Sequence, residues 1–176
     1  QFEKRNGSGA TVQGITTELR ANYDQKIQLE GGITLQVSRY DEPVSYSDEL
    51  APKRKFLRTP DQYGFAVLTL NPSKSWTAAI NWLYTGPMEL VHLAGAPEQQ
   101  ADEYTLSTTF NEWSCKVTYR VPVHPMKAGI EFFGGVKNIT NAYQDDFDSG
   151  KNRDSNYIYG PGLPRTIYFG LRLKSL

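Results

Sequence analysis

The side chains best suited to chemistry lie in one stretch, Asp145-Asp146-Phe147-Asp148-Ser149-Gly150-Lys151-Asn152-Arg153-Asp154. Asp146, Asp148, Asn152 and Asp154 place oxygen atoms at alternate positions around Gly150. Calcium takes about six to eight oxygen ligands, and a D-x-D-x-G turn can wrap several around one ion. Calcium is therefore the candidate ion, with these four residues as its ligands. No Glu closes the pattern as in an EF-hand, and a solvated acidic loop balanced by Lys151 and Arg153 accounts for the same residues. His92, in Met88-Glu89-Leu90-Val91-His92-Leu93, is the candidate cofactor ligand, since an imidazole can bind haem iron axially. A loop histidine without a ligand is the plainer reading. His124, between Pro122 and Pro125, reads as structural. The lone Cys115 cannot form an internal disulfide, and no Cys/His spacing suggests zinc. No nucleophile, base and stabiliser come together, so the chain is expected to bind rather than to make or break bonds.

The elements that must hold these groups are strands. Seven stretches alternate apolar and polar residues: Ala10 to Tyr23, Ile27 to Tyr40, Gln62 to Leu70, Trp76 to Thr85, Glu112 to Val121, Ile130 to Lys137 and Thr166 to Lys174. The last is the plainest, with Ile167, Phe169, Leu171 and Leu173 against Thr166, Tyr168, Gly170, Arg172 and Lys174. The third is the least clear. Tyr63, Phe65 and Val67 alternate with Gly64 and Ala66, but Leu68 and Leu70 blur its faces. Charges inside the strands (Glu18, Arg20, Glu30, Glu112, Lys116, Arg120, Glu131, Lys137, Arg172) all fall on one face.

Connections alternate short and long. The turns at Asp24-Gln25-Lys26, Asn71-Pro72-Ser73-Lys74 and Pro122 to Lys127 are short, and those at Asp41 to Asp61, Gly86 to Thr108 and Ala142 to Pro164 are long. All long loops thus meet at one end of the sheet. A soluble sandwich has no reason for this asymmetry, whereas a transmembrane β-barrel has short turns on one side and long loops on the other. Tyr23, Trp76 and Tyr119 near the short turns, with Trp113, Tyr84 and Tyr63 near the long loops, look like two interfacial aromatic girdles.

The bulk numbers agree. The formal net charge is +0, which offers nothing to a nucleic-acid partner. No run approaches the ~20 apolar residues of a membrane helix. A mean hydropathy of −0.53 looks soluble, but a barrel strand has one polar face and hides its membrane character from such averages. No signal peptide begins at Gln1, so the sequence reads either as an intracellular protein or as a mature chain or fragment, and residues 1–9 read as a loop cut open. Seven strands are an odd number, whereas single-chain bacterial barrels have an even one. The expected architecture is all-β: an antiparallel up-and-down transmembrane β-barrel of which residues 1–176 are one part.

Val136-Lys137-Asn138-Ile139-Thr140-Asn141-Ala142-Tyr143 and Gly160-Pro161-Gly162-Leu163-Pro164-Arg165-Thr166-Ile167-Tyr168-Phe169-Gly170-Leu171 resemble the C-terminal end of TonB-dependent outer-membrane receptors. That family's motifs there commonly read V-x-N-L-x-N and G-x-P-R-x-x-x-x-G. Trp82-Leu83-Tyr84-Thr85-Gly86 resembles its aromatic strand ends, and the loop around Asp146 is similar to receptors of the Bacteroidetes type. The chain departs from the family in ending on Leu176 rather than an aromatic residue.

The resemblance implies a barrel of about 22 strands, this chain supplying the last seven and no plug domain. It implies a bacterial cell outer-membrane location. The whole receptor would take up a scarce nutrient: an iron-siderophore, haem, cobalamin or an oligosaccharide. Its partners would be the rest of the barrel, the N-terminal plug, outer-membrane lipid and, through the plug, the inner-membrane TonB complex. The other reading of the alternation is a soluble ligand-binding β-barrel whose apolar face points inward.

Overall fold

Neighbouring side chains in a strand point to opposite faces, so a sequence such as Ile15-Thr16-Thr17-Glu18-Leu19-Arg20 sorts itself into an apolar and a charged side once paired. The computed structural model describes Gly7, residues 9–123 and residues 128–175. His124 and most of the opening stretch expected to be a loop lie outside the described residues. Among the described residues the chain forms ten strands and no helix.

The strands are β1 (Ala10–Tyr23), β2 (Ile27–Val44), β3 (Lys53–Lys55), β4 (Gln62–Leu70), β5 (Trp76–Thr85), β6 (Glu89–His92), β7 (Glu103–Leu106), β8 (Phe110–Val123), β9 (Ala128–Lys137) and β10 (Thr166–Ser175). The seven expected strands are β1, β2, β4, β5, β8, β9 and β10, and they lie side by side in that order. Every pairing is antiparallel, so the sheet is an up-and-down meander. The long loops hold more structure than expected. β3 adds to β2, and β6 and β7 form a separate hairpin. The second strand runs on to Val44 rather than ending at Tyr40.

The turn between β1 and β2 places Asp24 and Gln25 at φ +48° and +53°, and Lys26 donates its N–H to the Tyr23 carbonyl at 3.0 Å. Two successive positive φ values make a type I′ turn, whose twist suits the flanking strands. The next short turn is tied to it: Asn71 donates its N–H to the Lys26 carbonyl at 2.7 Å and its side-chain amide to the Gln25 carbonyl at 2.9 Å.

Register sorts the faces across the whole sheet. Leu29 lies opposite Ala21 and Leu68, Ile80 opposite Leu68 and Cys115, and Val136 opposite Cys115 and Ile167. This apolar face carries no charged strand residue from the short turns up to Arg39. The opposite face collects the charges. Arg20 pairs with Glu30 at 2.9 Å, and Glu131 receives Arg120 at 3.1 Å, Lys174 at 3.0 Å and Arg172 at 3.5 Å.

The register also resolves the third expected strand. Gly64, Ala66, Leu68 and Leu70 belong to the apolar face, while Thr34 opposite Tyr63 and Glu30 opposite Val67 put Tyr63, Phe65 and Val67 on the charged one. β4 is therefore apolar on both faces, which is why its alternation was blurred. Tyr63 consequently leaves the girdle expected near the long loops. On the apolar face near the long loops stand Trp82, Trp113 (ring centroids 6.1 Å apart) and Tyr84, and Trp76 packs on Tyr119 at 4.6 Å near the short turns.

Three aromatic residues of the charged face lie opposite glycine: Phe65 beside Gly32, Phe133 beside Gly170 and Tyr168 beside Gly135. Each ring occupies the space a Cβ would take. A Cβ on Gly170 would fall 2.5 Å from the Phe133 ring, and one on Gly135 2.7 Å from the Tyr168 hydroxyl.

Among the described residues the buried apolar cluster sits in the loops, not on the sheet. It consists of Met88, Leu90 and Tyr157, with Tyr159 against it. The apolar face of the sheet is bare, and Phe169 is 91% exposed. β1 and β10 each pair on one side only among the described residues.

Candidate functional site

The long connections, residues 45–61, 86–109 and 138–165, gather at one end of the sheet and bind one another. The Arg58 N–H donates to the Glu89 carbonyl at 2.8 Å, and its guanidinium to the Ile158 carbonyl at 2.9 Å. The Lys53 ammonium pairs with Glu89 and stands 3.9 Å over the Tyr104 ring, while the Tyr104 hydroxyl donates to the Ala51 carbonyl at 2.8 Å. Ser47 donates to Asp102, which also accepts the Ala94 N–H. The Ser47 hydroxyl first, and the Ala94 N–H second, hold the Asp102 carboxyl below its usual range. Burial, with Tyr40 and Tyr104 nearby, pushes Tyr46 up to about 12.

The two candidate sites read from sequence meet here. The His92 imidazole stacks on Tyr157 with centroids 3.6 Å apart and planes 4° from parallel, and its Nε2 lies 2.8 Å from Asp148 Oδ1. Asp148 Oδ2 accepts the Asp154 N–H at 3.0 Å. Asp154 in turn accepts the Leu93 N–H at 3.1 Å and the Asn156 N–H at 2.8 Å. His92 and Asp148 are both nearly buried, with side-chain exposures of 11% and 7%. The pair thus fastens the second long loop to the third.

Asp146 faces elsewhere. Tyr157 and Tyr159 donate their hydroxyls to its two oxygens at 2.8 Å and 2.7 Å. Partial burial alone would raise the Asp146 carboxyl, but the hydrogen bonds from Tyr159, Tyr157 and Gln144 outweigh it and leave the group below its ordinary value. Burial, then the Asp146 hydrogen bond and charge, push Tyr159 up to about 12 and raise Tyr157 as well. Asn152 is exposed. The four residues that spacing offers as a calcium cradle are therefore spread over separate tasks. Among the described residues no group of three or more His, Cys, Asp or Glu is placed to hold a metal ion. His92 presents its Nε2 to Asp148, so axial ligation through that atom requires the carboxylate to move aside.

The two sequence motifs at the chain's end are brought into one clasp. Asn138, 2% exposed and at φ +48°, donates its amide to the Ala142 and Leu163 carbonyls at 2.8 Å and 2.9 Å, and its Oδ1 accepts the Ala142 N–H at 2.8 Å. Asn141, at φ +51°, accepts the Arg165 N–H at 2.9 Å, and Arg165 Nε donates to the Ile139 carbonyl at 2.9 Å. Asparagine tolerates the left-handed region better than other side chains, which suits both positions. The clasp closes the mouth of the third loop where β9 ends and β10 begins, and the Ile139 N–H and Thr140 hydroxyl anchor it to β8 through the Trp113 and Asn111 carbonyls.

Sequence reasoning missed Tyr157, Tyr159 and Glu131 as organising residues. Tyr157 and Tyr159 stand two apart, the spacing that puts both hydroxyls on one side of an extended segment, and that was the available signal. A comparison with protein-family models and with curated proteins finds no match to this chain.

Proposed function

We propose that the chain is a C-terminal wall segment of a TonB-dependent receptor in a bacterial outer membrane, serving uptake of a scarce nutrient. An iron-siderophore, haem or cobalamin is the nutrient class this reading favours. In this reading the apolar face meets lipid, the charged face lines the lumen, and the fastened loops form part of the outer rim. No bond is made or broken; the segment binds and guides.

One observation carries the reading: a seven-strand antiparallel meander with one continuous face free of strand charges up to Arg39, left bare while the buried cluster sits in the loops. Covering a Leu, Ile or Phe is worth about 1.5–3 kcal/mol each, so such a face demands a cover, and lipid supplies one. The long strands of 9 to 18 residues suffice for the roughly 9–11 that cross a bilayer at a tilt. The apolar inner side of β4 also suits a filled lumen, since a strand greasy on both sides is normally covered on both.

The test uses Trp76, Trp82 and Trp113, all on the apolar face, in the native protein reconstituted into vesicles. Lipids carrying a quencher on the acyl chain should quench their emission, and a quencher confined to water should not. Protection from the lipid-borne quencher would refute the membrane reading and favour the soluble ligand-binding β-barrel, in which those rings pack inward.

A further inference from the structure

Glu131 is nearly buried, with 5% of its side chain exposed, and three cations converge on it: Arg120 and Lys174 on Oε2, Arg172 on Oε1. One carboxylate needs one cation. The three are themselves about half exposed, at 53%, 47% and 53%, so their remaining N–H groups are free to face a ligand. Arg120, Glu131 and Lys174 also line a concavity of about 430 Å³, together with Ser75, Pro122 and a fourth cation, Lys74, from the neighbouring short turn. Among the described residues Lys74, Arg120 and Lys174 line this concavity against the single carboxylate of Glu131, which Arg172 also bonds, an excess of positive charge at one place in a chain whose formal net charge is +0. At the other edge of the same face the balance is reversed, for Arg20 is shared between Glu30 and Glu18.

We propose that this concavity is a binding site for a small multivalent oxyanion, a phosphate or polycarboxylate group. Glu131 acts as the fixed post that holds Arg120, Arg172 and Lys174 in place against their mutual repulsion. The ligand then meets Lys74, Arg120 and Lys174 already oriented. Guanidinium forks match the oxygen spacing of phosphate and carboxylate alike, and charge-assisted bonds of this kind are about twice as strong as neutral ones. The open shape admits a free anion, and Val121, Pro122, Gly129 and Ile130 complete the lining around the charged groups. The site does not depend on the membrane reading, because it rests on charges of one sheet face.

Calorimetric titration of the purified native protein with inorganic pyrophosphate and, separately, citrate tests the proposal. Saturable binding of at least one is expected, weakened about tenfold by Lys174→Gln, as for loss of one charge-assisted hydrogen bond. Binding of pyrophosphate alone assigns a phosphate group, and binding of citrate alone a polycarboxylate. Lys74→Gln, which touches no bond of Glu131, should also weaken it several-fold while the fold stays intact. Arg20→Gln should leave it unchanged. Absence of saturable binding of both anions, or equal weakening by Arg20→Gln, would overturn the site.

Discussion

Replacing Asn138 should loosen the third long loop by a calculable amount. The side chain makes three short hydrogen bonds, two donated to the Ala142 and Leu163 carbonyls and one accepted from the Ala142 N–H, all between 2.8 and 2.9 Å in a residue only 2% exposed, and accepts a longer fourth from the Thr140 hydroxyl at 3.5 Å. At roughly 1 kcal/mol net for each, Asn138→Gly should cost about 3 kcal/mol. Asn138→Ala should cost about 1 kcal/mol more, because the φ of +48° suits glycine and penalises a methyl group. Asn138→Asp is the sharpest variant. It keeps the acceptor for Ala142 but loses both donors and sets a carboxylate against two carbonyl oxygens. At neutral pH it should be worse than alanine, and it should recover partly in acid, where the protonated carboxyl can donate once. Equilibrium unfolding in detergent measures the global cost, and hydrogen exchange at the Ala142 amide reports the local one. An alanine variant within about 1 kcal/mol of the parent would refute the reasoning, as would an aspartate variant milder than alanine at neutral pH.

Four further outcomes follow from the geometry. Gln25→Gly should stabilise the protein by about 1 kcal/mol in the same unfolding assay, since Gln25 sits at φ +53° in the type I′ turn. Tyr159, raised from 10.0 to about 12, binds its proton more tightly when folded. Its contribution is therefore complete below pH 10 and lost as pH rises from there toward 12, and phenolate absorbance should show this delayed titration. Asp146 runs the other way: its lowered carboxyl contributes above its ordinary value near 3.8 and loses that contribution as pH falls below it, so Tyr159→Phe should reduce the acid sensitivity of the loop. His92→Phe keeps the stack on Tyr157 but leaves the nearly buried Asp148 without its imidazole, at a cost of about 1–3 kcal/mol, read as faster proteolysis within residues 138–165.

The sheet was legible because its signal is periodic. Alternation alone places all seven long strands, the turns at Asp24-Gln25-Lys26 and Asn71-Pro72-Ser73-Lys74, and the charged face, since Arg20 and Glu30 on adjacent strands declare their shared side. Phe65 and Val67 were not assignable because β4 is apolar on both sides, and only its register with Glu30 decides between them. The loops were the harder part. His92 and Asp148 stand 56 residues apart and are joined by packing that no spacing encodes. The β6–β7 hairpin is too short for its alternation to rise above the surrounding loop. Asn138 and Arg165 stood in motifs, and the motif marked them without saying that each holds the opposite end of the same loop.

The three aromatic rings laid across glycines have a consequence for the charged face as a surface. A phenyl or phenol ring that stood upright would project from the wall and narrow whatever space lies before it. Phe65, Phe133 and Tyr168 instead lie where Gly32, Gly170 and Gly135 leave room, so the wall stays low and smooth at those points. Each match exists in one alignment of the two strands only. Sliding β10 by two residues along β9 would set Phe133 and Tyr168 against side chains in place of bare backbone, and both rings would lift together. The glycines therefore act as sockets that make a slipped pairing both less stable and rougher, and adding a single methyl at Gly170 would raise the Phe133 ring like a latch out of the charged face.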